Sequence, residues 1–442
     1  MKSKFISLAT IAALSVGILS GCGAKPAPTD STAKNEEKSP SGDVKDTSEV
    51  AEIKLKWAVW DIASTTYYQP LIDGFKAENP NVTIEMVDLG SQDYQTVLGT
   101  QLSGSDTDLD VVNIKDIPGY VNLVAKNVLE PVDTANVDLS GYGGITNQIV
   151  IDNLLYALPF RSDFWLMFYN KEIFDTAGVD YPSNDMTFEE YDTLARKVAK
   201  DELGNEIYGS HYHTWRSAVQ LFGILDGKNS IVDGQYDFLK PYYDLVVAQQ
   251  KDMISQDYAT LKTSNLHYSG AFAQGNVAMM NMGSWFIPTL IEKIATGEYT
   301  DISDWGLAKY PHAEGVEPGS TLATITSLSV TAASKNKQEA TDFMKFVCGP
   351  KGAEIIASTG TFPAIKTDAV VNAISSMEGF PQDGTSAEAL KTADTYLEMP
   401  IHPRSAEIEV VLNDAHDYIM TGTKTVDEGI AYMNEEVPKV LK

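Results

Sequence analysis

Ile53-Lys54-Leu55-Lys56-Trp57-Ala58-Val59 alternates, with Ile53, Leu55, Trp57 and Val59 on one face and Lys54, Lys56 and Ala58 on the other. It reads as a strand with one more polar face. Just beyond it, Tyr68, Leu71, Ile72 and Phe75 fall at i, i+3, i+4 and i+7 within residues 65–79, and Asn79-Pro80 ends that helix, because a residue before proline is steered out of the α region. Val82, Ile84 and Met86 alternate again. Strand, helix, strand is a βαβ unit, which makes the two strands parallel with a right-handed crossover. A second unit follows, with Tyr94, Val97, Leu98 and Leu102 on a helix and then a strand over residues 109–114. In sheets of this kind ligands settle beyond the carboxyl ends of the strands. Those ends carry Trp60-Asp61 and Asn113-Ile114-Lys115-Asp116, so a ring, two carboxylates and an ammonium are expected to converge on one edge.

On the N-terminal side, Lys2 and Lys4 precede a largely apolar run over residues 5–19, which leads into Leu19-Ser20-Gly21-Cys22. That is the pattern of a bacterial secretory signal ending in a lipobox: small Ser20 and Gly21 suit the peptidase, and the Cys22 thiol takes the lipid. The run is short of the ~20 residues a membrane-spanning helix needs. Residues 1–21 are therefore expected to be a lipoprotein signal peptide. Residues 22–51 would be the acylated cysteine and a disordered tether, since no large apolar residue occurs between Cys22 and Val44 and such a segment cannot offset its conformational entropy. The mature protein would stand on the extracellular face of the bacterial cytoplasmic membrane, held by its acyl chains alone.

A chain of 442 residues is too long for one core, so two lobes are expected. The formal charge of −28 argues against nucleic acid or an anionic lipid surface as a partner. Of the two cysteines, Cys22 is committed to lipid and Cys348 is left alone. No disulfide framework is expected, and Cys348 reads as a small buried hydrophobe at a helix end.

Further along, Ala157-Leu158-Pro159-Phe160-Arg161-Ser162-Asp163 leads into a strand over residues 165–169. Thr187-Phe188-Glu189-Glu190 is a capping box, opening a helix with Tyr191, Leu194, Ala195 and Val198 on its apolar stripe. Ser334 or Asn336 caps a later helix carrying Phe343, Met344 and Val347, stopped by Gly349-Pro350. Motifs of catalysis are missing: there is no Gly-x-Ser-x-Gly, His-Glu-x-x-His, phosphate loop or Gly-x-Gly-x-x-Gly,. His211-x-His213 has no third ligand at a familiar spacing. Asp106-x-Asp108-x-Asp110 lacks the glycine and the distal acid of a calcium loop, so capping and solvation are expected of it. No catalytic residue, cofactor or metal is expected.

Four stretches resemble the extracellular solute-binding family 1 of ABC importers, the group containing maltose-binding protein. They are Phe75-Lys76-Ala77-Glu78-Asn79-Pro80-Asn81-Val82; Leu158-Pro159-Phe160 with Tyr169-Asn170-Lys171-Glu172-Ile173-Phe174; Phe272-Ala273-Gln274-Gly275-Asn276-Val277-Ala278-Met279 with Gly283-Ser284-Trp285; and Trp305-Gly306 to Pro311, then Ser327 to Ser334, then Gly360-Thr361-Phe362-Pro363-Ala364. The resemblance covers residues 52–442 and implies a two-lobed α/β fold of the periplasmic-binding-protein type. Residues 52–161 plus 328–364 would form the N-terminal lobe, and residues 162–327 plus 365–442 the C-terminal lobe. Chain crossings would lie near residues 161, 327 and 365, with ligand in the cleft and hinge closure around it.

By the same resemblance Trp285 matches the position whose indole stacks on sugar, and Asp163 a carboxylate that accepts sugar hydroxyls, with an ion pair to Arg161 as the alternative. Tyr212, His213 and Trp215 match the segment lining the second lobe, with core packing as the alternative. Arg404 matches the last cleft segment, while Arg161, Lys115 and Asp116 are further polar candidates beside Trp60 and Asp61. The function implied is a lipid-anchored, monomeric binding protein that passes a neutral oligosaccharide to an ABC permease. The alternatives are a surface glycoside hydrolase, or the same fold binding a polyol, peptide or glycerophosphodiester.

Overall fold

A computed structural model of the protein describes residues 52–442, apart from 64, 91–93, 105–106, 143 and 200–205. The expected signal peptide, Cys22 and the tether lie outside the described residues. Among the described residues eight strands are present: β1 (Ile53–Val59), β2 (Val82–Asp88), β3 (Val111–Ile114), β4 (Leu158–Asn170), β5 (Met279–Gly283), β6 (Trp305–Ala308), β7 (Thr321–Val330) and β8 (Thr395–Leu397). The first three alternate with α1 (Tyr68–Glu78), α2 (Tyr94–Ser103) and α3 (Ile117–Ala125).

Both βαβ units form as their periodicity requires. β1 pairs parallel with β2, Ile53 opposite Val82 through Val59 opposite Asp88, and parallel with β3, Trp57 opposite Val111. β7 joins β3 antiparallel, and β4 joins β7 on its other side, giving the order β2-β1-β3-β7-β4.

β4 then changes company. Leu158 to Phe164 pair with β7, whereas Trp165 to Asn170 pair antiparallel with β5 and β6. The strand passes between sheets at Phe164/Trp165, slightly later than the crossing expected near residue 161. Position 161 is instead where segments meet: the β4–β7 register shifts between Pro159 and Arg161, and Arg161 also bridges Pro363. Proline cannot donate to a ladder, so the bulge lets β4 keep its course past Pro159.

The side chains of β4 alternate between two cores, as the period of a strand demands. Phe164, Leu166 and Phe168 join a cluster with Met280, Met282, Phe286, Leu307 and Phe362. Trp165, Met167 and Tyr169 join the larger cluster, which runs from Leu55 to Val437. The idea that no single core spans the chain is thereby corrected, because the odd-numbered face of β4 carries the main core from one sheet to the next.

Local expectations largely hold. Thr187 and Glu190 make both arms of their capping box, and buried Cys348 ends its helix with Sγ 3.3 Å from the Leu158 carbonyl oxygen. Asn336 occupies the cap position without a side-chain bond, while Ser334 accepts from its backbone N–H. Among the described residues no helix is long and apolar enough to cross a membrane.

Candidate functional site

β5 ends at Gly283, and the chain turns through Ser284 into the helix Phe286–Ala295 with Trp285 at its cap position. A Cβ on Gly283 would stand 2.1 Å from the Trp285 ring. The indole therefore folds back over the Gly283 backbone, an approach only glycine permits. Half-buried Trp285 meets the edge of Trp165 at 5.7 Å and lies 6.3 Å from Trp215, which is 39% exposed. Tyr268 stands 5.7 Å from Trp215, and the His213 ring 4.5 Å from Trp215 and 5.5 Å from Tyr268. These rings make one half-open aromatic wall. His213 Nδ1 is buried with no hydrogen-bond partner. Burial, then His211 and His267, lower its pKa to about 3, so the imidazole is neutral at physiological pH.

Behind the wall is a polar group on β4. Asp163 is 1% exposed. Its Oδ1 accepts from Ser284 Oγ at 3.0 Å, and its Oδ2 lies 2.9 Å from Arg161 Nε. Arg161 Nη1 donates to the Tyr67 hydroxyl at 3.1 Å. The Lys366 ammonium sits 4.6 Å from the centre of the Phe164 ring; burial lowers its pKa to about 8, against the pull of Asp163. Burial likewise raises the Asp163 carboxyl, with Arg161 opposing.

A third group stands at the carboxyl ends of β1 and β3, where the topology required it. Trp60 packs on the edge of Tyr94 at 4.8 Å, and the Lys115 ammonium lies 5.6 Å from the Trp60 ring centre. Exposed Asp61 has a φ of 52°, a left-handed conformation that Asp tolerates better than most residues. Asp116 caps α3, accepting from Gly119 N at 2.7 Å. Its carboxyl is raised by burial, with the charge of Glu409 adding to the effect.

Three candidates have partners elsewhere in the structure. Tyr212 does not reach the wall: its hydroxyl donates to Gln249 Oε1 at 2.7 Å inside the core, on the same side as Ser210. His211 and His213 stack on each other instead, with centroids 6.5 Å apart. Asp163 accepts from Ser284 on Oδ1, and its buried Oδ2 faces Arg161 Nε as an ion pair without a hydrogen bond. Arg404 sits at the exposed start of the helix Ser405–Met420 and pairs with Glu407 at 3.0 Å.

His211 Nδ1 is held by Gln256 Oε1 at 2.7 Å, and among the described residues no group of three His, Cys, Asp or Glu side chains could hold a metal ion. Asp108 pairs with Lys56, and Asp110 accepts from Lys56 N and Ser334 Oγ, which are structural duties. Tyr67, Tyr268, Ser284 and Lys366 enter the site without a sequence motif to announce them. Their only signal is adjacency to Trp285 for Ser284 and to an expected crossing for Lys366.

Over residues 60–354 the sequence matches the bacterial extracellular solute-binding proteins, and the chain belongs to that family. It is similar to a sugar transporter of Rhizobium etli solved in an open conformation, at 51% identity over 87% of this chain and 99% of that one, with a TM-score of 0.82. An ABC substrate-binding protein of Listeria monocytogenes in complex with cycloalternan is 17% identical, covers 88% of this chain and 99% of its own, and superposes with a TM-score of 0.71. Among curated proteins, a lactose-binding protein of Rhizobium radiobacter is 23% identical over 285 residues, 61% of this chain and 64% of that protein. The fold is the two-lobed α/β architecture of maltose-binding-protein-like proteins; these family members and neighbours are binding proteins.

Proposed function

We propose that this protein is the substrate-binding component of a sugar ABC importer, capturing a neutral oligosaccharide between lobes that close on it and handing it to a membrane permease. In this reading Cys22 carries the lipid that holds the protein outside the cytoplasmic membrane, and the lobes are residues 52–161 plus 328–364 and residues 162–327 plus 365–442. The observation that carries the proposal is the half-open wall of Trp285, Trp215 and Tyr268, set over Gly283. Pyranose faces present C–H groups, which pack well on the π-faces of rigid aromatics. Sugar hydroxyls need acceptors and donors, which Asp61, Lys115 and the neutral His213 would supply. An overall charge of −28 disfavours an anionic ligand by long-range repulsion. The sugar transporter and the lactose-binding protein among the relatives support the same substrate class.

Calorimetry over a panel of disaccharides and oligosaccharides, with chromatography of each mixture, tests this. The expected result is reversible binding with intact sugar recovered. Trp285→Ala should weaken that binding by ~1–3 kcal/mol, the scale of one lost stacking platform, with little change in melting temperature. Cleaved products would make the protein a hydrolase, and a Trp285→Ala variant that binds normally but melts much earlier would return the indole to the core.

A further inference from the structure

We infer that Tyr67, Arg161, Asp163 and Ser284 form one positioning relay that runs through β4 and sets where the Trp285 indole stands, so that Asp163 serves the ligand platform from behind and does not itself touch ligand. This rests on the reading of Trp285 as a ligand platform.

The relay begins at Tyr67, the residue before α1 and the end of the loop that starts with Trp60 and Asp61. The Tyr67 hydroxyl accepts from Arg161 Nη1, and the guanidinium lies 5.9 Å from the Tyr67 ring centre. Arg161 stands where β4, β7 and Pro363 meet, and bulges at such junctions re-aim side chains. Asp163 is two residues along the same strand face and takes Arg161 on one oxygen and Ser284 on the other. Ser284 is in turn gripped by the backbone of β4: its N–H donates to the Phe164 carbonyl at 2.8 Å, and its Oγ accepts from Phe164 N at 3.3 Å. Since that hydroxyl accepts from Phe164, its single proton goes to Asp163, which fixes the direction of the chain. The next residue is Trp285.

Burial of a carboxylate is costly unless it is paired and hydrogen-bonded. Asp163 meets that condition with a hydrogen bond from Ser284 on one oxygen and, on the other, an ion pair with Arg161 at 2.9 Å that is not aligned as a hydrogen bond. The carboxylate is only 1% exposed, so an incoming sugar hydroxyl would have to displace Ser284 or Arg161 to reach it. One chain thus joins the two places where ligand residues are expected, the loop after β1 and the turn after β5, across the point at which β4 changes sheets.

The test uses the full chain labelled with 5-fluorotryptophan. Its six tryptophans give separate fluorine resonances, and the Trp285 line is assigned by its loss in Trp285→Phe. In ligand-free protein, Ser284→Ala, Asp163→Asn and Tyr67→Phe should each move the Trp285 line by more than its width. Trp305, stacked on Phe168 in the second core at 6.2 Å, should stay in place and report an intact fold. Tyr67→Phe removes only the hydroxyl, so it decides the matter should the other two variants fail to fold. A Trp285 line unmoved by Tyr67→Phe, or unmoved by both Ser284→Ala and Asp163→Asn in folded protein, overturns the relay. Titrating wild type with maltotetraose and with lactose separates the two readings. A Trp285 line that ignores both sugars counts against the sugar platform, while the ligand-free spectra still judge the relay.

Discussion

Gly283 shows how much one missing methyl group decides. With a Cβ 2.1 Å from the indole, Gly283→Ala must push Trp285 away from its place over the strand end. Overpacking of this kind costs about 1–3 kcal/mol of stability. Displacing the indole should also forfeit its stacking on sugar, about 1–3 kcal/mol, so binding should fall about fivefold or more, each 1.4 kcal/mol being a factor of ten. Titration calorimetry beside urea unfolding checks both. Normal affinity in Gly283→Ala would mean that the indole's position over Gly283 does not matter to the ligand. At this scale the sequence was partly legible. Gly283-Ser284-Trp285 singled out its own indole, because two small residues before a tryptophan leave it room to turn. For Tyr212 the choice between cleft and core was left open, although a signal was available: in an extended segment neighbouring side chains face opposite ways, so Tyr212 and His213 are not expected to share one wall. For Asp163 the choice between an acceptor of sugar hydroxyls and an ion pair with Arg161 stayed open, because Ser284, which takes one of its oxygens, is 121 positions away.

Among the elements, β4 carries the most consequence, since each of its faces feeds a different core. Phe168 is fully buried, 5.2 Å from Phe286 and stacked on Trp305. Phe168→Ala should cost about 3–5 kcal/mol through transfer and cavity terms together, seen as a lower urea midpoint with the slope unchanged; a loss under about 1 kcal/mol would show that the second cluster collapses around the gap. The βαβ units were legible because alternation, helical spacing and Asn79-Pro80 agree with one another. The full length of β4 was not, because Pro159 reads as a break, and only the bulge by Arg161 reconciles it with a continuous strand. Gly349-Pro350 was read as a stop, and it does end the helix Lys337–Cys348. The same proline opens the helix Pro350–Ser358, because a proline at the first helical position gives up an N–H that had no partner there.

Across the molecule, stability at mildly acidic pH should depend on histidines kept neutral by burial. Burial lowers His211 from an ordinary 6.5 to about 4, and lowers His213 and His416 to about 3. The sign follows from proton counting: below 6.5 the unfolded chain takes up a proton at each site while the folded chain does not, so stability is present above 6.5 and is lost as pH falls towards 4. The limiting slope is about 1.4 kcal/mol per pH unit for each histidine. The lowered carboxyls of Glu190, Glu428 and Asp417 act in the same direction, in a window below about 4. The raised Asp116 and Asp163 oppose it. A difference measurement isolates one site. His416 Nδ1 lies 3.0 Å from the Tyr243 hydroxyl, and Gln in its place keeps a polar partner there while removing the titration. Urea midpoints of wild type and His416→Gln at pH 7, 6, 5 and 4 should converge as the pH falls, with the variant losing less stability over that range. Parallel curves for the two proteins would mean that His416 takes up its proton in the folded state as readily as in the unfolded chain.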